Sequence, residues 1–390
     1  MFIKYSLILL FGTCIQIIRS NENHTAEFDY KWTTDHEPQD PQFYILELNN
    51  TVVRATIVLY PNNTSADALL FKPIDPKDIS ISSSCIRWVP SRGIPFDKDY
   101  WQITNLENGK IVAMSSVLKK IFVIDMAKCE TITIDNQNGD IVPYDNSFDL
   151  IRYKDHCDKG DICITRYDDQ GIPMSEQVNI TINSDYKPLT AFSMDNNKRH
   201  VVIRYTYNQC GFLYLRTCYK TVVDILSQKL RIIDSFTHGF LMKTFSKAHG
   251  HLNICGNGDE GIECGMIDLK KGLANYVPLN GYWACENFIN VHNMKDGGMV
   301  LLFCSISNGD YSGCEMMFYA VDAFGRELVK PTFIDGENNE RFVYAHRDAD
   351  PYFKPTIIEK NSDDREYCFV IPGNRKTDGK CFRIPSPVLD

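Results

Sequence analysis

Six times along the chain a short apolar stretch runs into an aspartate and then into a polar turn. The copies are Leu70-Phe-Lys-Pro-Ile-Asp75, Ile121-Phe-Val-Ile-Asp125, Ile164-Thr-Arg-Tyr-Asp168, Thr221-Val-Val-Asp224, Gly265-Met-Ile-Asp268 and Phe318-Tyr-Ala-Val-Asp322. The aspartates are 50, 43, 56, 44 and 54 residues apart, a period near fifty. A unit of that length is one supersecondary motif that must stack on copies of itself to bury its apolar face. An apolar strand ending in Asp and a Gly- or Lys-containing turn is how the third strand of a propeller blade reverses into the fourth, because the Asp side chain caps the turn. A second strand with apolar alternation precedes the copies at Val53–Tyr60, Lys110–Met114, Arg199–Tyr205, His251–Cys255 and Met299–Cys304. About four strands per period is the propeller signature.

A seventh unit follows Asp322: Tyr367-Cys-Phe-Val-Ile371, a hairpin between Gly373 and Gly379, then Lys380-Cys-Phe-Arg-Ile384. The expected fold is therefore all-β, a single propeller of seven four-stranded blades over residues 46–390. Six and eight are the neighbouring counts the spacing also permits. An all-β sandwich can also carry Asp turns at intervals, and the cysteines supply a separate criterion.

Five cysteine pairs bracket the inner hairpins: Cys157 with Cys163, Cys210 with Cys218, Cys255 with Cys264, Cys304 with Cys314, and Cys368 with Cys381. Each encloses a turn-rich stretch, so that the sulfurs are expected to face each other across an antiparallel ladder. Cys85 and Cys129 are expected to pair between neighbouring blades. Cys285 is left over, either as a buried thiol or as a bridge to a second chain.

The compartment follows from the first twenty residues. Lys4, an apolar run from Leu7 to Ile18 interrupted by Gly12, Thr13 and Gln16, and Arg19-Ser20 have the layout of a cleavable secretory signal, with cleavage near Ser20. The run is too short and too broken for a membrane span, and Cys14 is lost with it. Processing removes Lys4 and Arg19 and no acid, moving the net charge from -9 to -11. Residues 21–45 are expected to be an N-terminal extension. Behind a signal peptide, the Asn-x-Ser/Thr triplets at Asn23, Asn49, Asn62, Asn63 and Asn179 predict glycans on exposed loops. Thirteen remaining cysteines fit an oxidising, extracellular setting.

Candidate chemistry is sparse. His249 and His251 lie two apart on an expected strand, which would put both rings on one face, without a third ligand nearby. The acidic rhythm of Asp155-His-Cys-Asp-Lys-Gly-Asp161 lacks the spacing and closing Glu of an EF-hand and reads as a solvated hairpin. Arg347-Asp-Ala-Asp-Pro351 offers two carboxylates before a turn. Trp88, Trp101 and Trp283 are expected to pack between blades. Sialidase Asp boxes, a Gly-x-Ser-x-Gly elbow, His-Glu-x-x-His and a phosphate-binding glycine loop are all missing from the sequence. No catalytic, cofactor-binding or metal-ligating residue is assigned, and no cofactor is expected.

The stretch His251-Leu-Asn-Ile-Cys-Gly-Asn-Gly-Asp-Glu-Gly-Ile-Glu-Cys-Gly-Met-Ile-Asp-Leu269 resembles hairpins of semaphorin-type extracellular propellers, in which a strand ending in Cys-Gly leads to a partner Cys on the next strand. The Ala-Phe that usually follows the Cys-Gly is absent. The resemblance covers nineteen residues and implies an architecture and its use, recognition of a protein partner at an edge or face, with no binding residue carried across.

The expected function is accordingly that of a secreted, glycosylated propeller that binds an extracellular protein or cell-surface receptor, as a venom or salivary-type factor would. It is expected to be a monomer or a disulfide-linked dimer through Cys285. A net charge of -9 leaves no basic surplus to displace counterions from phosphates, which argues against nucleic acid. The rival reading is a secreted, glycan-directed hydrolase with an acidic site at the channel mouth, and the expectation leans away from an enzyme. An enzyme should gather carboxylates or metal ligands of perturbed pKa, whereas a binder should expose an apolar or aromatic patch.

Overall fold

The computed structural model describes side chains for most of residues 102–334 and for parts of 357–385, the longest interruptions being 211–216 and 306–314. Elsewhere it describes strand backbone alone. Among the described residues seven antiparallel sheets follow one another along the chain; six have a four-stranded meander in chain order at their centre, and the seventh combines three C-terminal strands with one from the N-terminus. The fold is an all-β propeller. Its blades 1 to 7 lie at 42–89, 101–135, 140–180, 187–238, 241–280, 284–333, and 356–383 with 26–29. The only helical turn among the described residues is Lys154–His156. Blade 6 has a fifth short strand, Val343–Ala345, beside its third, Gly313–Val321.

The N-terminal boundary differs from the sequence reading. Ala26–Asp29 pairs with Lys376–Arg383 and is the fourth strand of blade 7, and Gln42–Leu48 is the first strand of blade 1. Ala26–Asp29 falls within residues 21–45, the stretch read as an extension, and Gln42–Leu48 begins inside it. Neither strand can be seen as part of a blade until its partner is known.

The chain forms two compact units, 36–238 with blades 1 to 4, and 239–390 with 1–35, holding blades 5 to 7. In the second unit the core is built between flat faces. Met299, Leu301 and Phe303 of blade 6 join a cluster with Cys255, Cys264 and Met266 of blade 5. Val300, Leu302 and Cys304 of the same strand pack with Tyr367 and Phe369 of blade 7. The apolar alternation expected for second strands is therefore replaced by burial on both faces: all seven residues of Met299–Ser305 are buried. A strand sandwiched between two sheets has no solvent side to keep polar. In the first unit, Val112, Met114, Ile121 and Val123 of blade 2 meet Phe148, Leu150 and Tyr167 of blade 3 in the same way.

The aspartate turns work as the side-chain chemistry dictates in four described copies. Asp125 accepts from the Lys128 N–H, Asp168 from Gln170 and Ile172, Asp268 from Lys270 and Lys271, and Asp322 from Phe324 and Arg326, at 2.8–3.1 Å. Burial alone would push the Asp268 and Asp322 carboxyls up. The backbone donors outweigh it and hold both below the usual carboxylate range. Asp75 lies outside the described residues. Asp224 is a correction: its strand continues to Ser227, which stands opposite Arg199 and accepts from the Arg231 N–H at 3.1 Å, so Ser227 holds the turn position. Asp224 sits three rungs earlier, buried, and anchors a projecting ribbon instead.

His238, at the end of blade 4's outer strand, is buried, and burial depresses its pKa from 6.5 to about 4. The unfolded chain takes up this proton near pH 6.5 while the folded chain resists until about pH 4. Stability from this residue is therefore complete above pH 6.5 and falls as the pH drops to about 4, by about 3 kcal/mol in all. His238→Gln should flatten the stability–pH profile between those limits, as read from urea midpoints. An unchanged slope would show that His238 is not the group responsible.

Candidate functional site

Blade 4 differs from its neighbours in the length of its middle strands, Arg199–Cys210 and Arg216–Ser227, at twelve residues each. The inner strand leaves the sheet where Lys187 pairs with Tyr205, and the outer strand where His238 pairs with Thr221. Beyond that line the ladder continues alone for five rungs, from Thr206 opposite Lys220 to Cys210 opposite Arg216. At ~3.4 Å per residue this ribbon is roughly 17 Å long. Burial stops at the same line: Val201–Ile203 and Thr221–Leu226 are buried, whereas Tyr207, Asn208, Gln209, Thr217, Tyr219 and Lys220 are exposed. The result is a two-stranded finger that has no further sheet neighbour among the described residues.

Such a ribbon is marginal by itself in water, and three features hold it. Cys210 and Cys218 form a disulfide with Cα atoms 5.9 Å apart. Tyr207 and Tyr219 stand directly opposite each other, with ring centroids 6.1 Å apart. At the base, Arg204 donates to Asp224 at 2.5 Å and stacks 3.9 Å over the Tyr186 ring, while Ser235 donates to the other Asp224 oxygen at 2.7 Å. Asp224 thus anchors the finger to the blade. Lys187 places its ammonium 5.5 Å from the centre of the Tyr207 ring. Tyr207 is 54% and Tyr219 37% exposed, high values for a pair of large rings.

Replacing Cys210 and Cys218 together by serine should loosen the ribbon and leave the core intact. Closing an eight-residue loop is worth about 2–3 kcal/mol in the chain-entropy model. Amide exchange of the ribbon should accelerate by roughly 30- to 100-fold, with the global unfolding midpoint nearly unchanged. A large drop in that midpoint would mean that the bond supports the blade itself.

The other sequence candidates are dispersed. Cys157–Cys163 and Cys255–Cys264 are disulfides, with Cα atoms 5.8 and 4.2 Å apart. Only the second joins directly opposed residues. Cys157 follows a helical turn instead of lying on a ladder, and Cys210 is diagonal to Cys218, which faces Asn208. Cys304 is disulfide-bonded, and Cys368 and Cys381 are opposed in register. The side chains of Cys85, Cys129, Cys285, Cys314, Cys368 and Cys381 lie outside the described residues, as do Cys14, Asn23, Asn49, Asn62, Asn63, the Arg347–Pro351 run and the rings of Trp88 and Trp101. Asn179 is on the outer strand Val178–Ile180, half-exposed, and not on a loop. Trp283 is 39% exposed and so is not packed between blades.

His249 and His251 do not share a strand face. His249 sits in the turn between two strands of blade 5 with φ 53°, followed by Gly250 at φ 81°, and His251 begins the next strand opposite Asp268. Asp161 accepts from the Ile182 N–H at 2.8 Å, and Asp155 and Asp158 are exposed. Among the described residues no three His, Cys, Asp or Glu side chains gather as metal ligands.

Two polar clusters have no signature in the sequence pattern. Between blades 3 and 4, Arg166 grips Asp149 through two bonds of 2.8 and 3.0 Å and donates to the Ser193 carbonyl at 2.7 Å. The Ser193 N–H donates to Asp149, and the Ser193 hydroxyl lies 3.0 Å from His200 Nδ1. Serine, histidine and aspartate therefore meet, but each is at most 1% exposed, so a substrate has no approach. Burial, with Arg166, also depresses the His200 pKa against the pull of Asp149. The second cluster joins the inner strands of blades 6 and 7, where His292 lies 3.5 Å from Glu359 and the Tyr367 hydroxyl donates to Glu359 at 3.2 Å. Burial would raise the Glu359 pKa, but His292 and Tyr367 hold it down. The displaced carboxyls among the described residues, Asp169, Asp268, Asp322 and Glu359, all move downward. A glycosidase acid requires the opposite displacement.

No protein-family model matches the chain, and no curated protein matches it. Solved structures similar to it include an inactive virginiamycin B lyase from Staphylococcus aureus with quinupristin, at 12% identity over 93% of this chain and 100% of that one, with a TM-score of 0.47. A hypothetical selenium-binding protein from Sulfolobus tokodaii is 12% identical over 87% and 84%, with a TM-score of 0.46. BamB from Moraxella catarrhalis is 9% identical over 91% and 100%, with a TM-score of 0.39.

Proposed function

We propose that the protein is a secreted, glycosylated β-propeller that works by binding a partner in the extracellular space or at a cell surface, and that blade 4's finger is the part that binds. The observation that carries this reading is the exposure of the Tyr207–Tyr219 pair on a ribbon stapled by Cys210–Cys218 and anchored through Asp224. Tyrosine supplies large, rigid contact area at low conformational cost, which is why it concentrates in binding surfaces. Ordering the ribbon before contact removes part of the entropic cost of association. Secretion rests on the leader at residues 1–20, and glycosylation on the sequons at Asn23, Asn49, Asn62, Asn63 and Asn179. The likeness of 251–269 to semaphorin-type hairpins is in keeping with partner recognition.

The test is binding of the purified, glycosylated protein to intact cells and to extracellular proteins, compared with a Tyr207→Ser/Tyr219→Ser variant. Saturable binding that weakens at least about tenfold in the variant supports the reading; a tenfold loss corresponds to about 1.4 kcal/mol. Equal binding by both proteins, or reproducible turnover of a glycan library by the wild type, would overturn it.

A further inference from the structure

We infer that blade 4's finger docks on an anionic lipid surface, an inference that rests on the binding role proposed above and names its partner. Charge is the first ground. The chain carries -9 overall, yet no Asp or Glu occurs between Asp195 and Asp224, a stretch holding Lys198, Arg199, Arg204, Arg216 and Lys220. Arg199 is paired with Asp195, and Arg204 with Asp224 at the base of the ribbon. Lys187 and Lys220, both exposed, remain to face outward beside the tyrosines. Asp185, two residues before Lys187 in sequence, is an exposed acid on the same stretch of chain. An acidic chain that keeps acids off one projecting ribbon presents a local attraction for negative charge that its net charge conceals.

Geometry supplies the second ground. Successive residues of a strand point to opposite faces, so Tyr207 and Tyr219 share one face with Lys187 beside them, while Lys220 lies on the other. Cations thus serve both faces of the ribbon. A flat protein partner meets one face, whereas the headgroup layer of a bilayer surrounds both. Tyrosine is enriched at that depth, where its ring is apolar and its hydroxyl is wet, and basic side chains next to it meet anionic headgroups.

The experiment is flotation of the intact, glycosylated protein with phosphatidylcholine vesicles and with vesicles of phosphatidylcholine and phosphatidylserine at about 7:3, at low and high salt. Binding is expected to the anionic vesicles at least about tenfold more strongly than to the neutral ones. It should weaken with salt and fall about tenfold in Lys187→Glu/Lys220→Glu and in Tyr207→Ser/Tyr219→Ser. Non-reducing mass analysis and circular dichroism establish that each variant is folded with Cys210–Cys218 intact, and Lys187→Gln/Lys220→Gln should lose less than the charge reversal. Absence of vesicle binding, or binding that ignores all three variants, overturns the inference. If vesicles are ignored while cells are still bound in a Tyr207- and Tyr219-dependent way, the partner is a protein: the lipid assignment falls and the proposed function stands. If neither vesicles nor cells are bound, both fall.

Discussion

Replacing Arg166 by methionine is expected to lower the unfolding free energy by about 3–5 kcal/mol, more than the removal of an ordinary surface charge by an order of magnitude. Arg166 and Asp149 are directly opposed across the second and third strands of blade 3, at 2% and 0% exposure. The pair also reaches the next blade: Asp149 accepts from the Ser193 N–H at 2.6 Å, and the guanidinium lies 4.0 Å over the Tyr144 ring, whose hydroxyl accepts from the Asp195 N–H. Methionine fills similar volume but leaves the Asp149 carboxylate buried with one backbone donor and no counter-charge. The cost therefore comes from an uncompensated charge and not from a void. Adding Asp149→Leu to Arg166→Met removes that charge and should recover about half of the loss or more, which a double-mutant cycle in urea measures as a favourable coupling. If the double variant is no more stable than Arg166→Met, the destabilisation arises from packing and not from a stranded carboxylate.

The same pair shows where reading the sequence stops. Arg166 stands in view within Ile164-Thr-Arg-Tyr-Asp168, yet its partner lies seventeen residues upstream in a strand, Ser147–Tyr153, that carries no turn or cysteine signal. An acid amid Phe148, Leu150 and Ile151, with a base in the strand that follows, is the available clue. Turn chemistry is legible because it is local. An Asp carboxylate reaches backbone donors two to four residues on, and four described aspartates do so. Asp224 breaks that reading because a serine can cap the same turn, and only the register of Arg199 against Ser227 reveals the substitution. His249 is misplaced by the sequence pattern for a related reason. His249-Gly-His251 reads as part of one strand unless the positive φ values of His249 and Gly250, which make a turn there, are known. The finger is half legible: the cysteines bracket a hairpin, but that its last five rungs stand alone follows from where the neighbouring strands end, which no local pattern encodes.

The alternation expected in the second strands fails for a reason that itself makes a prediction. In a sheet with one wet face, adjacent residues have opposite fates, and truncating one of two neighbours costs little. Leu301 and Leu302 of blade 6 are both fully buried, but in different clusters: Leu301 packs with Ile262, Cys264 and Met317, and Leu302 with Phe318, Ile357 and Phe369. Leu301→Ala and Leu302→Ala should therefore each destabilise the protein by about 2–5 kcal/mol, since each deletes buried methyl groups and opens a cavity that rigid strands cannot fully close. The two holes lie on opposite faces of one sheet, against blade 5 and blade 7 respectively, so the double variant should be close to additive. Urea unfolding followed by tryptophan fluorescence gives all three values. One leucine tolerating alanine within about 0.5 kcal/mol, the range usual for surface sites, would mean that one face of blade 6 is open to water, and the stacking of blade 6 between two sheets would have to be abandoned.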